Sequence, residues 1–109
     1  MHTLGPIGTF EDKARRLLGA TGFDEMLEHL AKTPKVGRII QGTGGLRKTR
    51  IARPGTGKSG GTRVIYYYFG EGKPILLLLI YSKTAQDNLT DAQKAQLRKQ
   101  VDALANQFA

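Results

Sequence analysis

LRKTRIARPGTGKSGGTR (residues 46–63) contains two strand-like ends joined by a glycine-rich turn. The second end continues as TRVIYYYF (62–69), whose β-branched and aromatic residues are typical of a strand. Because the two runs are joined by a short turn, they are expected to pair side by side in a mainly antiparallel sheet. This pair of strands organises the rest of the predicted fold.

The same stretch concentrates the positive charge of the chain. No Asp or Glu occurs between Glu28 and Glu71, whereas nine of the seventeen Lys and Arg residues lie in that interval. Alternation along a strand puts Lys48 and Arg50 on one face, and the next strand returns Arg63 beside them. Cations held this close repel one another, and a bound polyanion relieves that repulsion. One face of the sheet is therefore predicted to bind a polyanion.

Length, charge and composition restrict the class of protein. The chain of 109 residues is predicted to form a single domain, 1–109, and its net charge of +8 favours nucleic acid, an acidic protein or an anionic membrane surface as partner. The absence of cysteine excludes disulfides and thiolate metal sites, and fits a cytoplasmic protein. The first ten residues do not resemble a secretory signal, and the apolar run at 75–81 is far shorter than the about 20 residues that cross a bilayer. That run predicts a buried strand.

The remaining pattern predicts an α+β domain in the order α-α-β-β-β-β-α. Residues 1–9 leave open an irregular leader or a short edge strand. Apolar spacing predicts two N-terminal helices, with Gly19 and Gly22 ending the first, and a C-terminal helix capped by Thr90. The predicted helices are 10–18, 23–32 and about 91–107, and the predicted strands are 36–41, the basic strand from 46, 62–69 and 75–82.

Several familiar site motifs fail on physical grounds. The segment from Ala52 to Ser59 resembles a phosphate-binding Walker loop, but its first glycine is missing and a strand follows in place of a helix. With two distant histidines and no cysteine, we predict no metal and no cofactor. A serine nucleophile activated by His29 is unsupported, as is a pair of carboxylates for hydrolysis.

Longer motifs carry a resemblance to a known family. GTGGLRKTR (42–50), GKSGGTRVIYYY (57–68) and IYSK (80–83) followed by LTDAQ (89–93) resemble the HigB-type branch of the RelE/ParE toxin superfamily. The resemblance spans nearly the whole chain. It implies a small RelE-like (microbial ribonuclease-type) fold: a mainly antiparallel four-stranded sheet with two N-terminal helices and one C-terminal helix.

The resemblance also implies a function. It indicates a toxin of a type II toxin–antitoxin system, a metal-independent endoribonuclease (an mRNA interferase) that cleaves translated mRNA on the ribosome and so inhibits translation. It implies a cognate antitoxin with a helix-turn-helix DNA-binding domain, contact with operator DNA only through the antitoxin complex, and no membrane partner.

Carried over by position, the resemblance gives a set of catalytic residues. It assigns Lys48, Arg50 and Arg63 to the cleft and Lys83 to a further basic position. In the hypothetical mechanism Arg50 and Arg63 hold the scissile phosphate, because a guanidinium binds phosphate through two parallel hydrogen bonds. Lys48 is the candidate general base, because neighbouring cations favour its neutral form. Lys83 or an arginine assists the leaving 5′-oxygen.

Further residues are candidates for RNA binding. The family's C-terminal tyrosine corresponds to Leu89 here, so Tyr67 or Tyr81 is expected to take its place. Alternation puts Tyr67 on the face of Arg63 and indicates structural roles for Tyr66 and Tyr68. Three more cations are predicted either to contact ribosomal RNA or phosphate or to be solvated loop residues: Arg47, Arg53 and Lys58.

Two other functions remain open at this stage. The first is a ParE-like toxin that inhibits gyrase, and the second is a nucleic-acid-binding module without catalysis. The cations at Lys48, Arg50, Arg63 and Lys83 favour the nuclease, because they converge on a phosphate, which a gyrase-binding surface does not require.

Overall fold

The fold combines a twisted sheet with two helices, and the computed structural model describes residues 4–6, 8–51, 61–83 and 88–108. The elements, in chain order, are β1 (Leu4–Pro6), α1 (Gly8–Lys32), β2 (Arg38–Ile39), β3 (Arg47–Ile51), β4 (Thr62–Tyr68), β5 (Ile75–Ser82) and α2 (Asp91–Phe108). The predicted α+β class is confirmed. In the described residues no helix is long and apolar enough to cross a membrane.

The sheet has five strands in the order β1-β5-β4-β3-β2. Strands β2 to β5 are antiparallel, so the predicted four-stranded antiparallel sheet is confirmed. The leader adds a fifth strand, β1, which pairs in parallel with β5. Strand β2 is shorter than the predicted 36–41. Before it, the Gly37 amide donates to the Tyr66 hydroxyl, and after it the Ile40 amide donates to the Leu46 carbonyl, in register with the pairing of β2 and β3.

The prediction of two separate N-terminal helices is not confirmed. The structure has one element, α1, inside which Gly19 takes a non-helical conformation (φ 76°, ψ 169°). This φ is readily available to glycine, so one residue redirects the chain and the helix resumes at once. Gly22, the second predicted stop, remains inside the helix. The guanidinium of Arg15 lies 4.6 Å above the Phe23 ring and links the two sides of the break.

Each helix covers one face of the sheet. On one side, buried residues of α1 such as Phe10, Met26 and Leu30 form a cluster with β4 and β5. On the other side, Leu97 and Val101 of α2 belong to a second cluster with the same two strands. The continuous apolar run of β5 is therefore buried on both faces, as predicted.

A bulge interrupts the pairing of β4 with β5. Ile65 pairs with Leu79 but Tyr66 pairs with Leu77, so Leu78 is an extra residue in β5. Leu78 and Leu79 consequently both belong to the α2 cluster, although neighbours in a regular strand face opposite ways. Beyond the bulge, Tyr81 also joins the α2 cluster and pairs with Arg63.

Helix α2 begins with a capping box. The Gln93 amide donates to the Thr90 hydroxyl at 3.1 Å, and the Thr90 amide donates to the Gln93 side-chain oxygen at 3.0 Å. This reciprocal pair satisfies two backbone donors that the first turn leaves without helical partners. The predicted cap at Thr90 is confirmed.

Candidate functional site

Strand register gathers cations from three strands on one face of the sheet. Arg50 pairs directly with Arg63 across β3 and β4, and Lys48 pairs directly with Arg38 across β3 and β2. Directly paired residues point to the same face, as do residues two apart along one strand. The predicted common face of Lys48, Arg50 and Arg63 follows from this register, which adds Arg38.

These side chains line an open groove with a volume of about 470 Å³. Its lining residues are Val36, Arg38, Lys48, Thr49, Arg50 and Arg63. None of them is acidic, and like charges directly opposite each other on a sheet are destabilising. The groove therefore has a positive potential that an anion would neutralise.

Arg63 has an unsatisfied donor at this groove. Its Nη1 atom is buried and has no hydrogen-bond partner among the residues that the structure describes. A Cβ atom built on Gly61 would lie 3.0 Å from this nitrogen, 2.8 Å from Cγ of Arg50 and 3.0 Å from its Cδ. Both arginine side chains therefore pass close to Gly61, where a larger residue would displace them.

Lys48 is held from the start of the last helix. Its Nζ donates to the Asn88 side-chain oxygen at 3.3 Å, two residues before the capping residue Thr90. The lysine is half-buried, so its ammonium group is positioned and still reaches the groove.

Arg50 also borders a second cavity, on the α1 side of the sheet. This cavity has a volume of about 250 Å³, and its lining includes Glu25 and His29 of α1. Pairing between β2 and β3 covers only Arg47 and Lys48, so Arg50 lies beyond the end of β2. Its side chain is therefore accessible from both sides of the sheet.

Lys83 follows directly after β5 and is exposed. Its amide donates to the Gly61 carbonyl at 3.3 Å, which extends the pairing of β4 with β5 by one step. The backbone of Lys83 is thus beside the glycine that Arg50 and Arg63 approach.

Arg47 points away from the groove. Its Nη1 donates to the Gly37 carbonyl at 2.9 Å, and it pairs with Tyr66 rather than with a groove residue. The Tyr66 hydroxyl accepts from the Gly37 amide and donates to the Pro34 carbonyl, both at 2.8 Å. Burial of this hydroxyl raises the pKa of Tyr66 above its usual 10.0, although the bond from Gly37 and the charge of Arg47 oppose the shift. Together these contacts anchor the loop that precedes β2.

The two candidate tyrosines are packed into the α2 side of the core. Tyr67 contacts Phe69 edge to face, with ring centroids 4.7 Å apart, and is four residues, or about 13 Å, along the strand from Arg63. Tyr81 is next to the groove because it pairs with Arg63, but it is only 2% exposed. Neither arrangement presents a free ring face beside the cations. Arg53 and Lys58 lie outside the described residues.

Arg38 is the groove residue that the sequence reasoning missed. It is exposed, it lines the groove and it pairs with Lys48. The glycine-rich segment 42–45 contained a usable signal: a hairpin centred on Thr43 pairs residue 40 with 46 and residue 38 with 48. Asn88 was missed as well, because contact across 40 positions leaves no local pattern.

No cluster of three or more His, Asp or Glu side chains suited to a metal ion occurs in the part of the chain that the structure describes. The charged groups that line the groove are one ammonium and three guanidinium groups. Such groups bind a phosphate, neutralise charge that develops on it and transfer protons through lysine.

A known family model matches most of the chain. Residues 23–108 match the family model described as RelE toxin of the RelE / RelB toxin–antitoxin system. The match includes strands β2 to β5, helix α2 and every residue that lines the groove. Toxins of this family pair with an antitoxin. Because the match covers most of its length, the chain belongs to the RelE toxin family of toxin–antitoxin systems.

Proposed function

We propose that this toxin is a HigB-type mRNA interferase of a type II system, an endoribonuclease that cuts translated mRNA on the ribosome in the cytoplasm. One observation carries the proposal. Arg50 and Arg63 face each other directly across two strands, and the buried Nη1 of Arg63 has no hydrogen-bond partner among the described residues. A phosphodiester between the two guanidinium groups would satisfy that donor and relieve the repulsion between them.

The proposed reaction uses the nucleophile that RNA itself carries. The 2′-oxygen attacks the adjacent phosphorus while Lys48, the candidate general base, accepts the 2′-hydroxyl proton, and the bond from phosphorus to the 5′-oxygen breaks. Arg50 and Arg63 stabilise the negative charge that builds on the phosphate oxygens. Lys83 or an arginine protonates or stabilises the leaving 5′-oxygen. The products are a 2′,3′-cyclic phosphate and a 5′-hydroxyl.

The proposal includes the partners of this function. The groove would contact mRNA on the ribosome, and the cognate antitoxin would carry an acidic segment that covers the groove or the neighbouring helices. Charge complementarity supports this segment, because the groove lining contains four cations and no carboxylate. The antitoxin would bind operator DNA through a helix-turn-helix domain, and the toxin would reach that DNA only through the complex.

Translation in a cell-free extract, with primer extension on the message, tests the function. The wild-type protein is expected to cut within translated codons and leave 5′-hydroxyl ends. Arg63→Ala is expected to reduce cleavage at least a hundredfold, the typical effect of losing one group that stabilises transition-state charge, about 10²–10³.

Arg16→Ala is the matched control, because Arg16 is an exposed arginine of α1 outside the groove. It removes the same charge and is expected to leave cleavage unchanged. An intact message accompanied by DNA breaks would point to gyrase and would overturn the proposal. Equal cleavage by Arg63→Ala and wild type would overturn it too.

A further inference from the structure

The four groove cations form two pairs, not one cluster. Arg50 and Arg63 form one directly opposed pair, and Arg38 and Lys48 form the other. Lys48 and Arg50 are two residues apart on β3, so the pairs are separated by about 7 Å along the strand. Successive phosphates in an extended single strand of RNA are separated by a similar distance.

From this spacing we propose that the groove binds two consecutive RNA phosphates, with Arg38 as the residue that binds the second. The inference rests on the proposed function and adds a subsite to it. The scissile phosphate lies between Arg50 and Arg63, and the neighbouring phosphate lies beside Arg38. Lys48 lies between the two phosphate positions, since it pairs with Arg38 and is two residues from Arg50 on β3.

The surroundings of Arg38 support an external ligand. The residue is exposed and lines the groove, and its side chain has no ion-pair partner among the described residues. Its strand partner, Lys48, is itself a cation. A second phosphate at this position would compensate two like charges that the fold holds opposite each other. Arg38 is accordingly a positioning residue for the substrate and does not touch the reacting atoms.

Binding of short RNA analogues tests this subsite directly. The probes are 2′-O-methyl oligonucleotides of two and three nucleotides, which carry one and two phosphodiesters and cannot be cleaved by 2′-oxygen attack. Wild-type protein is expected to bind the three-nucleotide probe more tightly than the two-nucleotide probe. Arg38→Gln is expected to lose about three- to fivefold in affinity for the longer probe only, as an exposed ionic contact is of modest strength. The slope of log affinity against log salt should also fall by about 0.7, the value for one phosphate contact on a single strand.

Two further variants separate this role from a general loss of charge or of fold. Lys35→Gln removes an exposed cation that does not line the groove, and it is expected to bind both probes like wild type. Arg38→Lys retains the charge and should restore most of the affinity. In the translation extract, Arg38→Gln should raise the concentration of translated mRNA needed for half-maximal cleavage and leave the maximal cleavage rate unchanged.

The outcomes distinguish this inference from the function on which it rests. If wild type cuts mRNA but Arg38→Gln and Lys35→Gln bind the longer probe equally well, the second subsite is wrong and the nuclease stands. If the wild-type protein shows no preference for the longer probe, the subsite is wrong again. If wild type leaves the message intact, the nuclease proposal itself fails.

Discussion

At the scale of single residues, Tyr66 connects the sheet to the loop that leads into β2. Its hydroxyl is buried and uses both of its hydrogen-bonding roles, one toward Gly37 and one toward Pro34. Gly37 has no space for a side chain, because an added Cβ would lie 2.8 Å from that hydroxyl. The groove residues Val36 and Arg38 flank Gly37, so this tyrosine indirectly positions one wall of the groove.

Tyr66→Phe is expected to lower the free energy of unfolding by about 1–3 kcal/mol, because it leaves a buried amide and a carbonyl without their partner. Urea denaturation followed by circular dichroism measures the loss. Tyr67→Phe is the matched control on the same strand, since the described residues offer its hydroxyl no hydrogen bond. Its effect should stay within about 0.5 kcal/mol. Equal stability of the two variants would contradict the role given to Tyr66.

The raised pKa of Tyr66 adds a dependence on pH to the same experiment. The folded protein holds the Tyr66 hydroxyl proton more tightly than the unfolded chain does. The free energy of unfolding therefore falls wherever the unfolded tyrosine has begun to ionise. The contribution of the Tyr66 hydroxyl to stability is fully present below pH 10.0 and is lost as the pH rises through the higher pKa of the folded state. Tyr66→Phe should therefore lose less stability than wild type between neutral pH and the alkaline range. Parallel curves of unfolding free energy against pH for wild type and Tyr66→Phe would contradict this linkage.

At the scale of elements, the N-terminus of α2 links the capping box to the groove. Thr90 and Gln93 exchange two hydrogen bonds, and Asn88, two residues earlier, accepts the hydrogen bond from Lys48. The start of this helix thus contributes both to helix stability and to the position of the candidate base.

Thr90→Ala is expected to cost about 1 kcal/mol of unfolding free energy, the usual effect of losing a threonine cap. Thermal or urea denaturation checks this value. Thr90→Ser retains the capping oxygen and should stay close to wild type, which makes it the control. If alanine and serine at this position were equally stable, the capping box would contribute nothing measurable.

Sequence patterns predicted some elements well and missed others for identifiable reasons. Alternation was sufficient to bring Lys48 and Arg50 to one face, because it depends only on local geometry. The resumption of α1 after Gly19 was not predictable from the residue alone, since a left-handed glycine can end a helix or merely redirect it. Arg38 needed the hairpin register. Alternation already turns Arg47 to the face opposite Lys48, but its hydrogen bond to Gly37 needed the position of the loop before β2. The roles assigned to the catalytic residues stay predictions until the variants are measured.

At the scale of the whole molecule, the separation of charge from the core explains how a chain with a net charge of +8 folds. Both helices pack on β4 and β5, whereas three of the four groove cations lie on β2 and β3 and the fourth, Arg63, lies on β4. Most of the mutually repelling cations therefore lie on strands other than the two that carry the main apolar contacts. A partner that neutralises the groove can bind without disturbing the core.

RNA binding by the whole protein should consequently depend strongly on salt. Log affinity for a single-stranded RNA is expected to fall linearly with log salt, with a slope of about −0.7 for each phosphate neutralised. Fluorescence anisotropy between low and physiological salt measures this slope. The two-phosphate groove alone predicts a slope of about −1.4. An affinity that does not change with salt would contradict RNA binding by the cationic groove.

The extra residue in β5 has a consequence for how this chain can change over time. Leu78 reverses the alternation of side chains along the strand. Before it, the even-numbered residue Leu76 faces α2, and after it the odd-numbered residues Leu79 and Tyr81 face α2. Deleting Leu78 would place Leu77 and Leu79 opposite the adjacent residues Tyr66 and Ile65, so the pairing would become regular while Ile80 and Tyr81 kept their present faces. The run can therefore tolerate substitution among apolar residues and the loss of the bulged residue, whereas an insertion in the regular part of the strand would turn the residues beyond it to the opposite faces.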